Sequence, residues 1–149
     1  MESKSRTILL AEDSPLDIEL TLAALQEHGL TNEIVVARDG VEALDYLYRR
    51  NQYAGRPVGH PLLILLDLKM PRVDGLEVLR QIKQDPDLRV IPIVMLTSSR
   101  EEQDIVESYN LGANAYVVKP VAFEAFVGVV KQIGLFWILI NEPPARRGT

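Results

Sequence analysis

At 149 residues and 47% hydrophobic content, the chain has enough material for one well-packed domain and too little for two of ordinary size. Its 16 basic and 21 acidic residues leave a net charge of −5 and no basic stripe that could track a phosphate backbone, which argues against nucleic-acid binding. The lack of cysteine excludes a disulfide framework, thiolate catalysis and a cysteine-ligated metal, without fixing a compartment.

The chain opens Met1-Glu2-Ser3-Lys4-Ser5-Arg6, without the apolar stretch of a signal peptide. Thr7-Ile8-Leu9-Leu10-Ala11 then runs into Glu12-Asp13. That is the pattern of a strand buried on both faces, with two carboxylates at its carboxyl end. Ser14 offers an N-cap and Pro15 suits the first helical position, while Leu16, Leu20, Ala23 and Ala24 recur at helical spacing until Gly29. Ile34-Val35-Val36 marks a strand between Glu33 and Arg38. Asp39-Gly40-Val41-Glu42 is a second capping pattern, and Val41, Leu44, Leu47 and Tyr48 give the next helix its apolar face. Asn51 to Pro61, with two glycines and two prolines, reads as a loop longer than the usual connection of about 4–6 residues.

Leu62-Leu63-Ile64-Leu65-Leu66 leads straight into Asp67, and Pro71 stops the strand from continuing. After the turn Met70-Pro71-Arg72-Val73, Asp74 and Glu77 cap a helix carrying Leu76, Leu79 and Ile82, which Asp85-Pro86 ends. Pro92-Ile93-Val94-Met95-Leu96 is another buried run. It finishes at Thr97-Ser98-Ser99, where either serine can cap a following helix through Glu101 or Glu102. Leu111-Gly112-Ala113-Asn114 ends that helix and leads to the strand Ala115-Tyr116-Val117-Val118, closed by Lys119-Pro120. The last helix is expected from about Ala122, with Phe126, Val130, Ile133, Trp137 and Ile140 on a four-and-three spacing that crosses Gly134. Residues 143–149 read as a flexible tail. The apolar run Leu135 to Ile140 is far short of the roughly 18–20 residues that span a bilayer, so a soluble, cytoplasmic protein is expected. Five strands alternating with five helices predict a doubly wound α/β fold with a parallel sheet.

Each strand with a clear terminus delivers a functional group at its carboxyl end: Glu12 and Asp13, Asp67, Thr97, and Lys119. In a parallel sheet these ends share one edge, where open α/β sheets place their ligand crevice. Each residue alone has a plainer reading: a turn aspartate, a solvated strand-end lysine, a helix-capping threonine, acidic residues complementing a helix dipole. Their conjunction is what points to chemistry. Three carboxylates brought together repel unless a cation compensates, and oxygen-only ligands suit Mg²⁺. His28 and His60 fall in a helix end and a loop, which disfavours Zn²⁺. A metal, an ammonium and a hydroxyl around Asp67 form a coherent set for phosphoryl transfer onto that carboxylate.

Ala11-Glu12-Asp13-Ser14, Leu65-Leu66-Asp67-Leu68-Lys69-Met70-Pro71 with Asp74-Gly75, Leu96-Thr97, Gly112-Ala113 and Tyr116-Val117-Val118-Lys119-Pro120, in this order, resemble the receiver domains of two-component response regulators from about Thr7 to Gly134. The resemblance implies a flavodoxin-like (CheY-like) sheet of order 2-1-3-4-5. It implies Mg²⁺ held by Asp13, Asp67 and the backbone carbonyl of Lys69, with Glu12 acting through water. It implies Asp67 as acceptor of a phosphoryl group from a kinase histidine, Lys119 as partner of the phosphate, and a cis Lys119-Pro120 bond. It implies a switch in which the Thr97 hydroxyl moves inward and Tyr116 turns from exposed to buried, repacking the face of the fourth helix, fifth strand and fifth helix. Lys69 and Ser99 would flank the pocket and tune phosphate lifetime.

The long 51–61 loop and the apolar end around Phe136, Trp137 and Ile140 resemble the single-domain regulators paired with phytochrome-type histidine kinases. So apolar an end invites a cover, and a homodimer through the switch face is expected, with Trp137 folding back on its own domain as the alternative. The expected protein is a stand-alone receiver over residues 1–142 that signals by protein contact to a target the sequence does not name, without nucleic acid, membrane or metabolic catalysis. An aspartyl-nucleophile phosphohydrolase would want a carboxylate two residues after Asp67, where Lys69 stands. A structural adaptor that takes no phosphate remains the other alternative.

Overall fold

The computed structural model describes residues 7–26, 30, 32–98, 101, 107 and 109–139. Five strands, β1 (Ile8–Ala11), β2 (Ile34–Ala37), β3 (Leu63–Asp67), β4 (Ile93–Thr97) and β5 (Ala115–Val118), form one sheet of order β2-β1-β3-β4-β5 with every pairing parallel. Successive side chains of a strand point to opposite faces, and here both faces are covered. Leu9, Ile64, Leu66, Ile93 and Met95 enter one core with Leu44, Leu47, Leu79 and Ile82. Their strand neighbours Ile8, Leu10, Leu63, Leu65, Val94 and Leu96 enter the other with Ile18, Leu25, Phe126 and Val130. The uninterrupted aliphatic runs are thus the cost of a sheet that has no wet side.

Helices α2 (Gly40–Tyr48) and α3 (Gly75–Gln84) cover the first face, and α1 (Pro15–Gln26) and the C-terminal helix Phe123–Gln132 cover the second. The capping patterns act as their chemistry dictates. Asp39 accepts the Glu42 N–H at 2.8 Å, and Asp74 accepts the Glu77 N–H at 2.9 Å. Ser14 Oγ accepts the Asp17 N–H at 3.2 Å.

Four readings of the sequence need correction or completion. Leu16 and Leu20, on the spaced set of α1, are 61% and 42% exposed, and Ile18, Thr21 and Leu25 face the sheet instead. α1 is apolar around its circumference, so spacing did not select one face. The single long C-terminal helix is broken: it stops at Gln132, Gly134 adopts φ +86, and a short helix Phe136–Leu139 follows. Left-handed backbone at a glycine ends helices, and here it turns Leu135, Phe136 and Leu139 back against the second core. The 51–61 loop opens with a 3₁₀ turn, Asn51–Tyr53, and is tied to α2. Its Arg56 guanidinium lies 4.1 Å from the Tyr46 ring centroid and donates to the carbonyls of Tyr46 and Gly59 at 2.7 and 3.0 Å. Of the helix expected between β4 and β5, Glu107, Tyr109 and Asn110 are helical. Its start at Ser99, the end of α1 at Gly29, and the residues Ile140 and 141–149 lie outside the described residues, as does the Trp137 side chain. Among the described residues no helix is long and apolar enough to cross a membrane.

Candidate functional site

The strand register builds the site. Ala11 pairs with Leu66, so Glu12 and Asp67 leave the sheet side by side at the β1/β3 junction. This is where the strand order reverses and α/β sheets open a crevice. Asp67 pairs with Leu96 and Val118 with Thr97, which carries Thr97 and then Lys119 around the same rim. The Lys119 N–H donates to the Thr97 carbonyl at 2.8 Å, and the Lys119-Pro120 bond is cis. A cleft of ≈ 190 Å³ results, lined by Glu12, Asp13, Asp67, Thr97 and Lys119. Ser14, Asp17, Leu68, Lys69 and Ser98 complete its wall, and Ser99 lies outside the described residues.

Glu12, Asp67 and Thr97 are buried and Asp13 is exposed. Carboxylate oxygens of Glu12, Asp13 and Asp67 lie within 4.8 Å of one another. Against them stands the Lys119 ammonium. Lys119 Nζ lies 3.0 Å from Glu12 Oε1, 3.0 Å from Asp67 Oδ1 and 3.0 Å from Asp17 Oδ2. Burial alone would lower its pKa, but the bonds to Asp17, Glu12 and Asp67 outweigh burial and hold it above the ordinary lysine value. Asp67 is pushed up to about 7, first by burial and then by the Glu12 and Asp13 charges, against the downward pull of Lys119. An ordinary ion pair would lower the carboxyl. Here the Lys119 ammonium is shared among three carboxylates, and a hard divalent cation would supply the positive charge that Asp67 still lacks. A cluster of oxygen donors without cysteine or histidine fits Mg²⁺ or a similar ion.

Other devices fix Asp67 from behind. Gly75 donates to the Leu68 carbonyl at 2.8 Å, and a Cβ added there would stand 2.0 Å from the Asp67 carbonyl oxygen. Only glycine lets α3 approach the strand end so closely. Arg72, with φ 68, reaches Asp39 Oδ2 at 2.9 Å and ties the β3–α3 turn to the start of α2.

Asp17 is the residue that sequence reasoning missed. It sits on a helix and not at a strand end, and only its four-residue distance from Asp13 signalled that the first turn of α1 could return it to the cleft. Tyr116 lies away from the cleft on β5, partly buried, its ring centroid 5.6 Å from that of Tyr109 in an edge-to-face pair. Phe136 packs partly buried against the second core, with Lys131 Nζ 5.0 Å from its ring centroid.

The response regulator receiver domain model matches residues 8–131. Response regulator Rcp1 of Synechocystis sp. is 41% identical over 140 residues, 94% of either chain. Among solved structures, that of the bacteriophytochrome response regulator AtBRR is 59% identical with a TM-score of 0.85, covering 94% of this chain and all of that one. The Mn²⁺-bound form of Rcp1 gives a TM-score of 0.73 over 89% of this chain and 94% of that one. The phosphorylated cyanobacterial phytochrome response regulator RcpA is 42% identical with a TM-score of 0.74, over 90% of this chain and 94% of that one. Sheet order, strand-end chemistry and these likenesses agree: the chain is a response regulator receiver, a member of the response regulator receiver domain family.

Proposed function

We propose that this receiver takes a phosphoryl group from a histidine kinase on Asp67 and passes the change on by protein contact. The observation that carries the proposal is the meeting of Asp67, Glu12, Asp13, Thr97 and Lys119 in one cleft. Mg²⁺ would be held by Asp13, Asp67 and the Lys69 carbonyl, with Glu12 acting through water, and would supply neutralisation of charge on the carboxylates and the incoming phosphate oxygens. An Asp67 oxygen attacks phosphorus in line: the new O–P bond forms as the bond to the donor's imidazole nitrogen breaks, and the imidazole leaves with the electron pair. Lys119 then donates to a phosphoryl oxygen, and Thr97 Oγ to another.

Movement of Thr97 toward the phosphate would bias Tyr116 between two packings, and so the face of β5 and the C-terminal helix. A groove of ≈ 440 Å³ lies on that face, lined among others by Tyr109, Tyr116, Ala125 and Val129, and it supports a homodimer there. Phe136, Trp137 and Ile140 are the apolar residues of the chain end proposed to take part in that contact. The names of the relatives support a phytochrome-type kinase as phosphodonor and, with it, a cytoplasmic setting, and the acidic composition speaks against nucleic-acid or anionic-membrane partners. Lys69, two residues past Asp67, speaks against a phosphohydrolase, which would need an acid–base group there.

Incubation with a small acyl phosphate and Mg²⁺ tests the proposal by intact mass and sedimentation. Wild type should gain one phosphoryl group and Asp67→Asn none. A folded wild type that gains nothing, from the small donor or from a phosphorylated kinase, leaves the structural adaptor as the reading.

A further inference from the structure

The Lys119 ammonium donates to Glu12 Oε1 and to Asp17 Oδ2, each at 3.0 Å, and pairs with Asp67 Oδ1 at 3.0 Å, so three carboxylates surround its three N–H bonds in the resting cleft. If Lys119 is to donate to a phosphoryl oxygen, one partner has to let go. The Glu12 side chain is fully buried, and its second oxygen already accepts the Ser14 N–H at 3.1 Å; released by Lys119, it would be a buried charge without a cation. Asp67 bears the phosphoryl group itself. Asp17 differs from both: its side chain is 28% exposed, on the first turn of α1, where water and the helix N-terminus can take over its charge.

We propose that Asp17 is a positioning residue that holds Lys119 in the unphosphorylated cleft and surrenders it when a phosphoryl group reaches Asp67, so that its carboxylate competes directly with the phosphoryl oxygens for the Lys119 ammonium. The proposal rests on the receiver reading and adds to it a residue of α1, outside the strand-end set. Ser14 Oγ, accepting the Asp17 N–H, fixes the turn that aims the carboxylate at Nζ. The energetic consequence has a definite sign. Whatever weakens the Asp17–Lys119 bond in the resting state makes Lys119 cheaper to recruit, and raises affinity for a phosphoryl group or its mimic.

The test compares wild type, Asp17→Asn and Glu19→Gln. Glu19 lies on the same turn, exposed, and its substitution removes the same charge without touching Lys119. With Mg²⁺ present, beryllofluoride, a phosphoryl mimic, is titrated calorimetrically. Asp17→Asn should bind it about 3- to 10-fold more tightly, the difference between a charge-assisted and a neutral hydrogen bond, while Glu19→Gln should match wild type. In a Lys119→Met background the gain should vanish, because Asp17 then has nothing to hold. A second readout needs neither metal nor phosphate: exchange of the Lys119 ammonium protons with water, followed by ¹⁵N-resolved NMR, should be faster in Asp17→Asn alone. An unchanged affinity in Asp17→Asn, an equal gain in Glu19→Gln, or a gain that survives Lys119→Met each overturns the holding role in favour of plain charge repulsion or none. If wild type neither binds the mimic nor gains mass from an acyl phosphate, the receiver reading falls and this role with it. The ammonium exchange separates that outcome from a mere failure of Asp17 to hold Lys119.

Discussion

Asp67 is asked to stay charged in a place that resists charge, and its behaviour with pH shows how far the cleft is out of balance. Its carboxyl, pushed up to about 7 by burial and by Glu12 and Asp13, binds a proton more tightly in the folded chain than in the unfolded one. The sign follows: in metal-free protein this group adds stability as pH falls through about 7 toward about 4, and the contribution is lost as pH rises. Urea titrations at about pH 5.5 and about pH 8 should show it, and Asp67→Asn should remove the dependence and raise stability at about pH 8 by on the order of 1–3 kcal/mol. A divalent cation held by Asp13 and Asp67, as proposed, would compete with that proton for the same oxygens. Mg²⁺ affinity, read calorimetrically, should therefore fall up to roughly tenfold per pH unit below about 7 and level off above it. The backbone behind Asp67 is as constrained as its side chain. Gly75→Ala would set a Cβ 2.0 Å from the Asp67 carbonyl oxygen and should cost about 1–3 kcal/mol with a loss of Mg²⁺ affinity. Gly55→Ala, which meets open space, should stay within about 0.5 kcal/mol and leave the metal alone.

Among the elements, the strands and caps were legible because each rests on short-range chemistry. Asp39 with Glu42 and Asp74 with Glu77 satisfy helix N–H groups wherever they occur, and an unbroken aliphatic run ending in a carboxylate has few other uses. What escaped the sequence depended on tertiary choice. α1 could have buried Leu16 and Leu20 as readily as Ile18 and Leu25, and only the fit against the sheet decided. Gly134 could have been tolerated inside one helix, yet turning the chain there buries Leu139 to 6% exposure. Arg56 stands in a stretch that looked featureless, and it converts that stretch into a clasp on α2: Arg49 reaches the Arg56 carbonyl at 3.1 Å while the Arg56 guanidinium covers Tyr46. Arg56→Ala should free the 51–61 segment at a cost of about 1–3 kcal/mol. A broad-specificity protease should then cut there at rates the wild type resists, with phosphoryl uptake by Asp67 retained, since the clasp does not line the cleft.

For the molecule as a whole, the site was readable because a parallel sheet gathers what the sequence scatters. Positions 12, 67, 97 and 119 lie far apart in the chain, but each is the residue at which a strand leaves the same edge. Asp17 was not readable by that rule, because a helix brought it there. The cleft lies at the strand ends, and the groove on β5 and the C-terminal helix lies apart from it, along the flank. Ala125 is exposed in that groove, on a helix that tolerates arginine, and touches nothing in the cleft. In the homodimer proposed for that groove, Ala125→Arg would place a long charged side chain in a contact between two copies and so set charge against like charge. Phosphorylation by an acyl phosphate should therefore proceed as in wild type, while in sedimentation wild type is expected to dimerise and Ala125→Arg to stay a monomer at the same concentration. If Ala125→Arg dimerises as wild type does, the contact belongs to another face, and if wild type itself stays a monomer the homodimer falls; in either case the apolar groove is left for a partner of a different kind.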